Sequence, residues 1–123
     1  MSPSRVVLML LRVSAGLQVV VGVGLWTGHW YSLLPIHWAN GVLFVLLLWT
    51  IAVIALVQRR AVGRALVAIL WGFIVVALGF AQQGILPGNL HWIIRVLHLV
   101  IGLAALGIAE GLAPRRPKAV VVA

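Results

Sequence analysis

The amino-acid sequence predicts an all-α membrane protein, in which a single domain of 123 residues forms a bundle of four transmembrane helices in up-down-up-down order. The chain is 64% hydrophobic and 8% charged, with a mean hydropathy of +1.22, whereas a soluble domain carries about 25% charged residues. Four apolar stretches have about the 17–25 residues that a membrane-spanning helix needs. The connections between them are short, which favours antiparallel neighbouring helices.

The four spans are predicted at residues 6–26, 38–57, 66–82 and 92–112. The first connection contains Gly28 and Pro35, which we interpret as helix breakers. The second connection is basic and contains Gly63, and the third contains Pro87. A lipid bilayer is therefore the expected surrounding of the chain.

The charge distribution predicts an orientation in the membrane. Nine Lys and Arg side chains oppose one acid, Glu110, and such an excess is often typical of nucleic-acid binding. Nucleic acid is not expected here, because eight of the nine lie near the ends of apolar runs: Arg5, Arg12, Arg59, Arg60, Arg64, Arg115, Arg116 and Lys118. By the positive-inside rule, both termini are expected in the cytoplasm of a prokaryotic cell, with the chain in the inner or cell membrane.

The two halves of the sequence resemble each other. Residues 19–26 are similar to residues 74–81 at an offset of 55, and His37-Trp38 matches His91-Trp92 at an offset of 54. Each half contains two spans, so both halves enter from the same side, which predicts a parallel repeat about an axis along the membrane normal. The repeat places His37 and His91 at equal depth on opposite sides of that axis.

Histidines and one arginine form the candidate site. At about 100° per residue, four residues share one face of the fourth span: His91, Arg95, His98 and Gly102. The matching face of the second span carries His37, Gly41 and Phe44. An ionisable residue inside a span normally faces the bundle interior or a cavity and is a functional candidate.

These faces predict a haem site. A bundle diagonal leaves a gap that a porphyrin with two axial histidines can fill. His37 and His91 lie on opposite sides of such a gap, and the small four-helix membrane b-type cytochromes that the chain resembles imply that these two histidines are the axial ligands of the haem iron. Arg95 could reach a propionate. Gly41 and Gly102 would give the macrocycle room, and Phe44 could stack on it.

With a histidine on each of two spans and an arginine nearby, the chain resembles small four-helix membrane b-type cytochromes, such as the cytochrome b561-like proteins and the haem-bearing membrane anchors of respiratory enzymes. The resemblance implies non-covalent haem b and electron transfer with a quinone or another redox protein. Transmembrane cytochromes often stack two haems, but His98 lies only about 10 Å along the helix from His91. One haem near the non-cytoplasmic face is therefore expected, with His98 as a substitute for His91 or part of a quinone site.

Other interpretations of the same residues remain open. A His-Trp pair at the start of a span can be an interfacial anchor, His98 can be a core histidine, and Arg95 can extend to the membrane surface. The chain could be a non-catalytic subunit or assembly factor of a larger membrane complex, or a homo-oligomer. It could also bind or transport a metal ion through its histidines: His29, His37, His91 and His98. An electron carrier is favoured over a stand-alone enzyme.

The remaining polar residues predict contacts between helices. Arg12 and Glu110 lie near the same end of the bundle, so an ion pair between them is expected. Gln18, Asn40 and Gln82 are expected to form hydrogen bonds across helices. The sequence contains no cysteine, which excludes disulfides, thiolate metal sites and covalent attachment of a c-type haem.

Overall fold

A computed structural model describes residues 1–114, which form a four-helix bundle. The helices are α1 (Pro3–Trp26), α2 (Leu34–Val57), α3 (Val62–Ala81) and α4 (His91–Glu110), and these 114 residues contain no β-strand. All four helices are long and apolar enough to cross a membrane. The predicted fold class is confirmed, and the chain is an integral membrane protein. Arg115, Arg116 and Lys118 lie outside the described residues.

The helix boundaries differ from the predicted spans by up to four residues. Helix α2 begins at Leu34 rather than at residue 38, because Pro35 lies in its first turn, where the missing N–H costs nothing. Pro35 therefore starts a helix, whereas the sequence had indicated a breaker. Helix α3 begins at Val62 rather than at residue 66, so that Gly63 lies inside it, and α4 ends at Glu110 rather than at residue 112.

The connection between α2 and α3 is only four residues long, 58–61. Arg59 and Ala61 have φ angles of 51° and 46°, in the left-handed region that L-residues seldom adopt. These two conformations reverse the chain direction within one turn. They hold α2 and α3 as a tight antiparallel hairpin.

Arg60 in that connection and Arg64 in the first turn of α3 reach the carboxyl end of α4. Arg64 Nη1 donates a hydrogen bond to the Gly111 carbonyl oxygen at 2.6 Å, and Arg60 Nη1 donates to the Leu112 carbonyl oxygen at 3.5 Å. Carbonyls at a helix end have no partner inside the helix, and the end carries a partial negative charge. The two guanidinium groups donate hydrogen bonds to these carbonyls and place positive charge beside the negative end of the helix. We call this end of the bundle, which also carries Arg5 and Arg59, the basic end.

The bundle is tightly packed in its half toward the basic end. Leu11, Leu48 and Ile51 are fully buried there. Four alanines on α2 and α3 are also fully buried: Ala52, Ala55, Ala65 and Ala68. Their small side chains allow these two helices to approach closely, as is usual in membrane bundles.

Two tryptophans form hydrogen bonds between successive helices. Trp49 of α2 donates its indole N–H to the Ile69 carbonyl oxygen of α3 at 3.1 Å, and Trp71 of α3 donates to the Ile101 carbonyl oxygen of α4 at 3.0 Å. A buried indole N–H needs such a partner. These bonds hold the helices together near mid-length. We call the end of the bundle opposite the basic end the histidine end, because it carries His29, His37 and His91.

Candidate functional site

A cavity of about 410 Å³ lies between the four helices at the histidine end. Its volume falls within the range of about 300–1,000 Å³ that is typical of small-molecule sites. All seven residues predicted for the site line it: His37, Gly41, Phe44, His91, Arg95, His98 and Gly102. The structure therefore brings the predicted residues of α2 and α4 together around one space.

The closest pair of imidazoles in this cavity is His37 and His98. Their ring centres lie 6.3 Å apart, with an angle of 51° between the ring planes. His37 comes from the first turn of α2 and His98 from the second turn of α4, and these helices meet across a diagonal of the bundle. The sequence had favoured His91 as the partner of His37 and kept His98 as the substitute, and the geometry favours His98.

His91 has a different environment from its repeat mate His37. It is the first residue of α4, and its Nδ1 lies 3.2 Å from the Ile85 carbonyl oxygen in the preceding connection. Its ring is at the rim of the cavity, whereas the His37 ring is directed toward α1. The two halves of the chain are therefore not equivalent at the site.

Arg95 also lines the cavity and is half-buried. Within residues 1–114, the only ion pair that forms is between Arg12 and Glu110, at the basic end. Since the sequence has no other acidic side chain, the guanidinium of Arg95 has no carboxylate partner among residues 1–114. A cation in this position favours a ligand that carries an anionic group.

Glycines make room for both imidazoles. A Cβ atom at Gly22 of α1 would lie 3.3 Å from His37 Cε1, and one at Gly79 of α3 would lie 3.8 Å from His98 Cε1. A Cβ atom at Gly102 would meet no neighbouring atom within 4 Å, so this position faces open space, as expected. Gly22 and Gly79 were not predicted as part of the site, because the rotation of α1 and α3 toward the histidines has no signal in the sequence.

A chain of polar side chains leads to His37 from the middle of the bundle. Ser14 Oγ donates to Asn40 Oδ1 at 2.9 Å, and Asn40 Nδ2 donates to Gln18 Oε1 at 2.8 Å. Gln18 Nε2 lies 3.5 Å from His37 Nε2. The predicted bonds of Gln18 and Asn40 across helices are confirmed, whereas Gln82 donates to the Gly79 carbonyl oxygen near its own helix end, at 3.4 Å.

The histidines do not form a multidentate metal site. Within the part of the chain that the structure describes, no three His, Asp or Glu side chains converge to hold a metal ion. His29 lies apart, beside Trp30, in a separate depression formed by α1 and the connection that follows it. The arrangement instead offers two neighbouring imidazoles, an unpaired guanidinium among the described residues and a largely apolar wall.

No protein family model matches the chain, and neither a curated protein nor a solved structure is similar to it. The chemistry of the site must therefore be argued from its own residues.

Proposed function

We propose that the chain binds one haem b in the cavity at the histidine end and transfers electrons within the membrane, with His37 and His98 as the axial ligands. The observation that carries this proposal is the spacing of the two rings. An imidazole nitrogen binds a metal ion at about 2.0–2.1 Å, so a metal lies about 3.2 Å from the ring centre and two opposed rings lie about 6.4 Å apart. The rings of His37 and His98 are 6.3 Å apart.

The other residues of the cavity suit a flat, apolar ligand with anionic groups. Arg95 lines the cavity and would bind a propionate. Phe44 offers an aromatic face, and Gly102 leaves the space beside it free. Gly41 does not provide the expected room, because a Cβ atom there would lie 3.0 Å from Gln18 Nε2. Bis-histidine haem iron supplies one-electron oxidation and reduction. The apolar wall would exclude water from the haem, and the two imidazoles would hold it in place.

An electron carrier also needs a donor and an acceptor. A quinone or another membrane redox protein, including a larger complex that contains this chain, would fill these roles within the bilayer. The orientation that we propose places the basic end in the cytoplasm, in accordance with the positive-inside rule. The haem would then lie near the opposite membrane surface.

The proposal is tested by the absorption spectrum of the purified full chain from haem-supplied cells, oxidised and then reduced with dithionite. We expect about one haem per chain and the resolved reduced bands of a six-coordinate b-type cytochrome. His37→Ala and His98→Ala should each lose this spectrum, and added imidazole should restore it by replacing the missing ring. A colourless wild-type protein would overturn the proposal.

Two control variants separate ligands from neighbours. His91→Ala removes a histidine at the rim of the same cavity, and His29→Ala removes one outside it. Both should keep the six-coordinate spectrum. Loss of the spectrum in His91→Ala together with its survival in His98→Ala would instead assign the second ligand to His91.

A further inference from the structure

The polar chain that ends at His37 has a fixed direction. It begins at the Ser14 carbonyl oxygen, which can only accept, and Asn40 Nδ2 donates to it at 2.9 Å. Ser14 and Asn40 are 4% and 8% exposed. Polar groups this deep in a membrane span are costly unless they are paired, so their mutual bonds keep a single arrangement.

This arrangement determines how the Gln18 amide is turned. Asn40 Nδ2 also donates to Gln18 Oε1 at 2.8 Å, so the oxygen end of the Gln18 amide faces Asn40. The NH₂ end therefore faces His37, where the two Nε2 atoms are 3.5 Å apart. An amide nitrogen only donates. His37 Nε2 must accordingly present a lone pair, because an N–H there would point at another N–H.

The second ring nitrogen of His37, Nδ1, has no neighbour among the described residues that favours either tautomer. His37 Nδ1 is buried and has no hydrogen-bond partner among residues 1–114, and this holds for either tautomer. The proton position is therefore decided by the group that faces Nε2, as is general for histidine in proteins.

We infer that Gln18 is a positioning residue that holds neutral His37 in the tautomer with the proton on Nδ1 and the lone pair on Nε2, and that Asn40 and Ser14 keep the Gln18 amide turned for this purpose. Nothing in the tautomer itself requires haem. At the proposed haem site, iron would bind His37 Nε2 only in place of the Gln18 hydrogen bond, because one lone pair cannot serve both a donor and a metal ion.

The test is nitrogen NMR of the full chain, labelled with ¹⁵N-histidine, prepared without haem and embedded in lipid bilayers. The signals of His37 are identified by their loss in His37→Ala. We expect the wild-type protein to show a protonated Nδ1 and an unprotonated Nε2 at this residue. A protonated Nε2 in the neutral wild-type ring would overturn the inference.

Gln18→Met removes the donor while it keeps a side chain of similar length. A single neutral hydrogen bond contributes about 0.5–1.5 kcal/mol, so we expect the tautomer ratio to shift about 2- to 10-fold toward the Nε2-protonated form. Asn40→Leu should shift it in the same direction, since the Gln18 amide is then free to turn over. Unchanged His37 signals in both variants would contradict the inference.

Gln83→Met is the matched control. It makes the same change at a glutamine that lines the same cavity, but that residue makes no hydrogen bond to a histidine within the described part of the chain. The His37 signals should therefore keep their wild-type pattern. A wild-type protein that shows the expected tautomer but takes up no haem would support the inference and overturn the proposed function.

Discussion

Arg12 of α1 and Glu110 of α4 are 98 positions apart in the sequence and form a two-pronged ion pair. Arg12 Nε donates to Glu110 Oε1 at 2.6 Å, and Arg12 Nη2 donates to Glu110 Oε2 at 2.7 Å. Glu110 is the last residue of α4, where the partial negative charge of the helix end disfavours a carboxylate. The guanidinium of Arg12 compensates this charge and joins the first helix to the fourth.

Exchanging the two charges tests the contribution of this pair. Arg12→Glu and Glu110→Arg should each lower the midpoint temperature of thermal unfolding in detergent, because each places like charges side by side. The double variant should recover most of the loss, since the ion pair is restored in reverse. The side chains are 56% and 39% exposed, so the effects should weaken at high salt. A double variant no more stable than the weaker single variant would contradict this prediction.

Gly72→Ala should destabilise the bundle near mid-length. A Cβ atom at Gly72 would collide with the indole of Trp49. This indole packs against Phe73 at a tilt of 47°, with ring centres 4.8 Å apart, and donates a hydrogen bond to the Ile69 carbonyl oxygen. Because the indole cannot move without losing these contacts, we expect a cost of about 1–3 kcal/mol in the free energy of unfolding. Equilibrium unfolding in mixed detergent measures it.

The matched control for that substitution is Gly107→Ala on α4. A Cβ atom there would meet no neighbouring atom within 4 Å. The change should be neutral or should stabilise the helix by up to about 1 kcal/mol, because alanine restricts the unfolded chain. Equal losses in the two variants would show that close approach of Trp49 is not the cause.

Arg95→Gln should weaken haem binding without removing the axial ligands. A hydrogen bond to a charged group contributes about 1.5–3 kcal/mol, so loss of the guanidinium should raise the Kd for haem about 10- to 100-fold. Haem titration of the haem-free chain measures this effect. Arg59→Gln, at the basic end, should leave the Kd unchanged, and an equal effect of both substitutions would indicate only a general loss of positive charge.

The membrane orientation can be read from single cysteines, because the sequence contains none. Gln58→Cys places a thiol in the connection between α2 and α3, and Gly84→Cys places one between α3 and α4. In intact cells, a membrane-impermeant maleimide should label Gly84→Cys but should label Gln58→Cys only after the membrane is opened. The reverse pattern would place both termini outside and overturn the proposed orientation.

The sequence predicted the four helices and seven of the residues that line the cavity from local pattern, and it predicted the Arg12–Glu110 pair from charge. Apolar length marks a span, and a period of about 100° per residue marks its polar face. A lone acid and an arginine at the same end of the bundle have few alternative partners. None of these predictions depends on the exact position of one helix relative to another along the bundle axis.

The proximity of His98 to His37 depends on the position of α4 relative to α2 along the bundle axis, and it could not be predicted from the sequence. Helix α2 starts at Leu34, three residues before His37, whereas α4 starts at His91 itself. His37 therefore lies about 4.5 Å further along its helix than its repeat mate does. The repeat in the sequence indicated equal depth, and the actual helix starts break that equality.

The basic end also determines when the molecule can be completed. Arg12 of α1, Arg60 of the α2–α3 connection and Arg64 of α3 all donate to residues 110–112, and Arg60 also donates to Gln58. A chain is synthesised from its amino end, so these contacts can form only after α4 has been made. The same helix supplies His98. The contacts at the basic end and the His37–His98 pair therefore both wait for the last of the four helices.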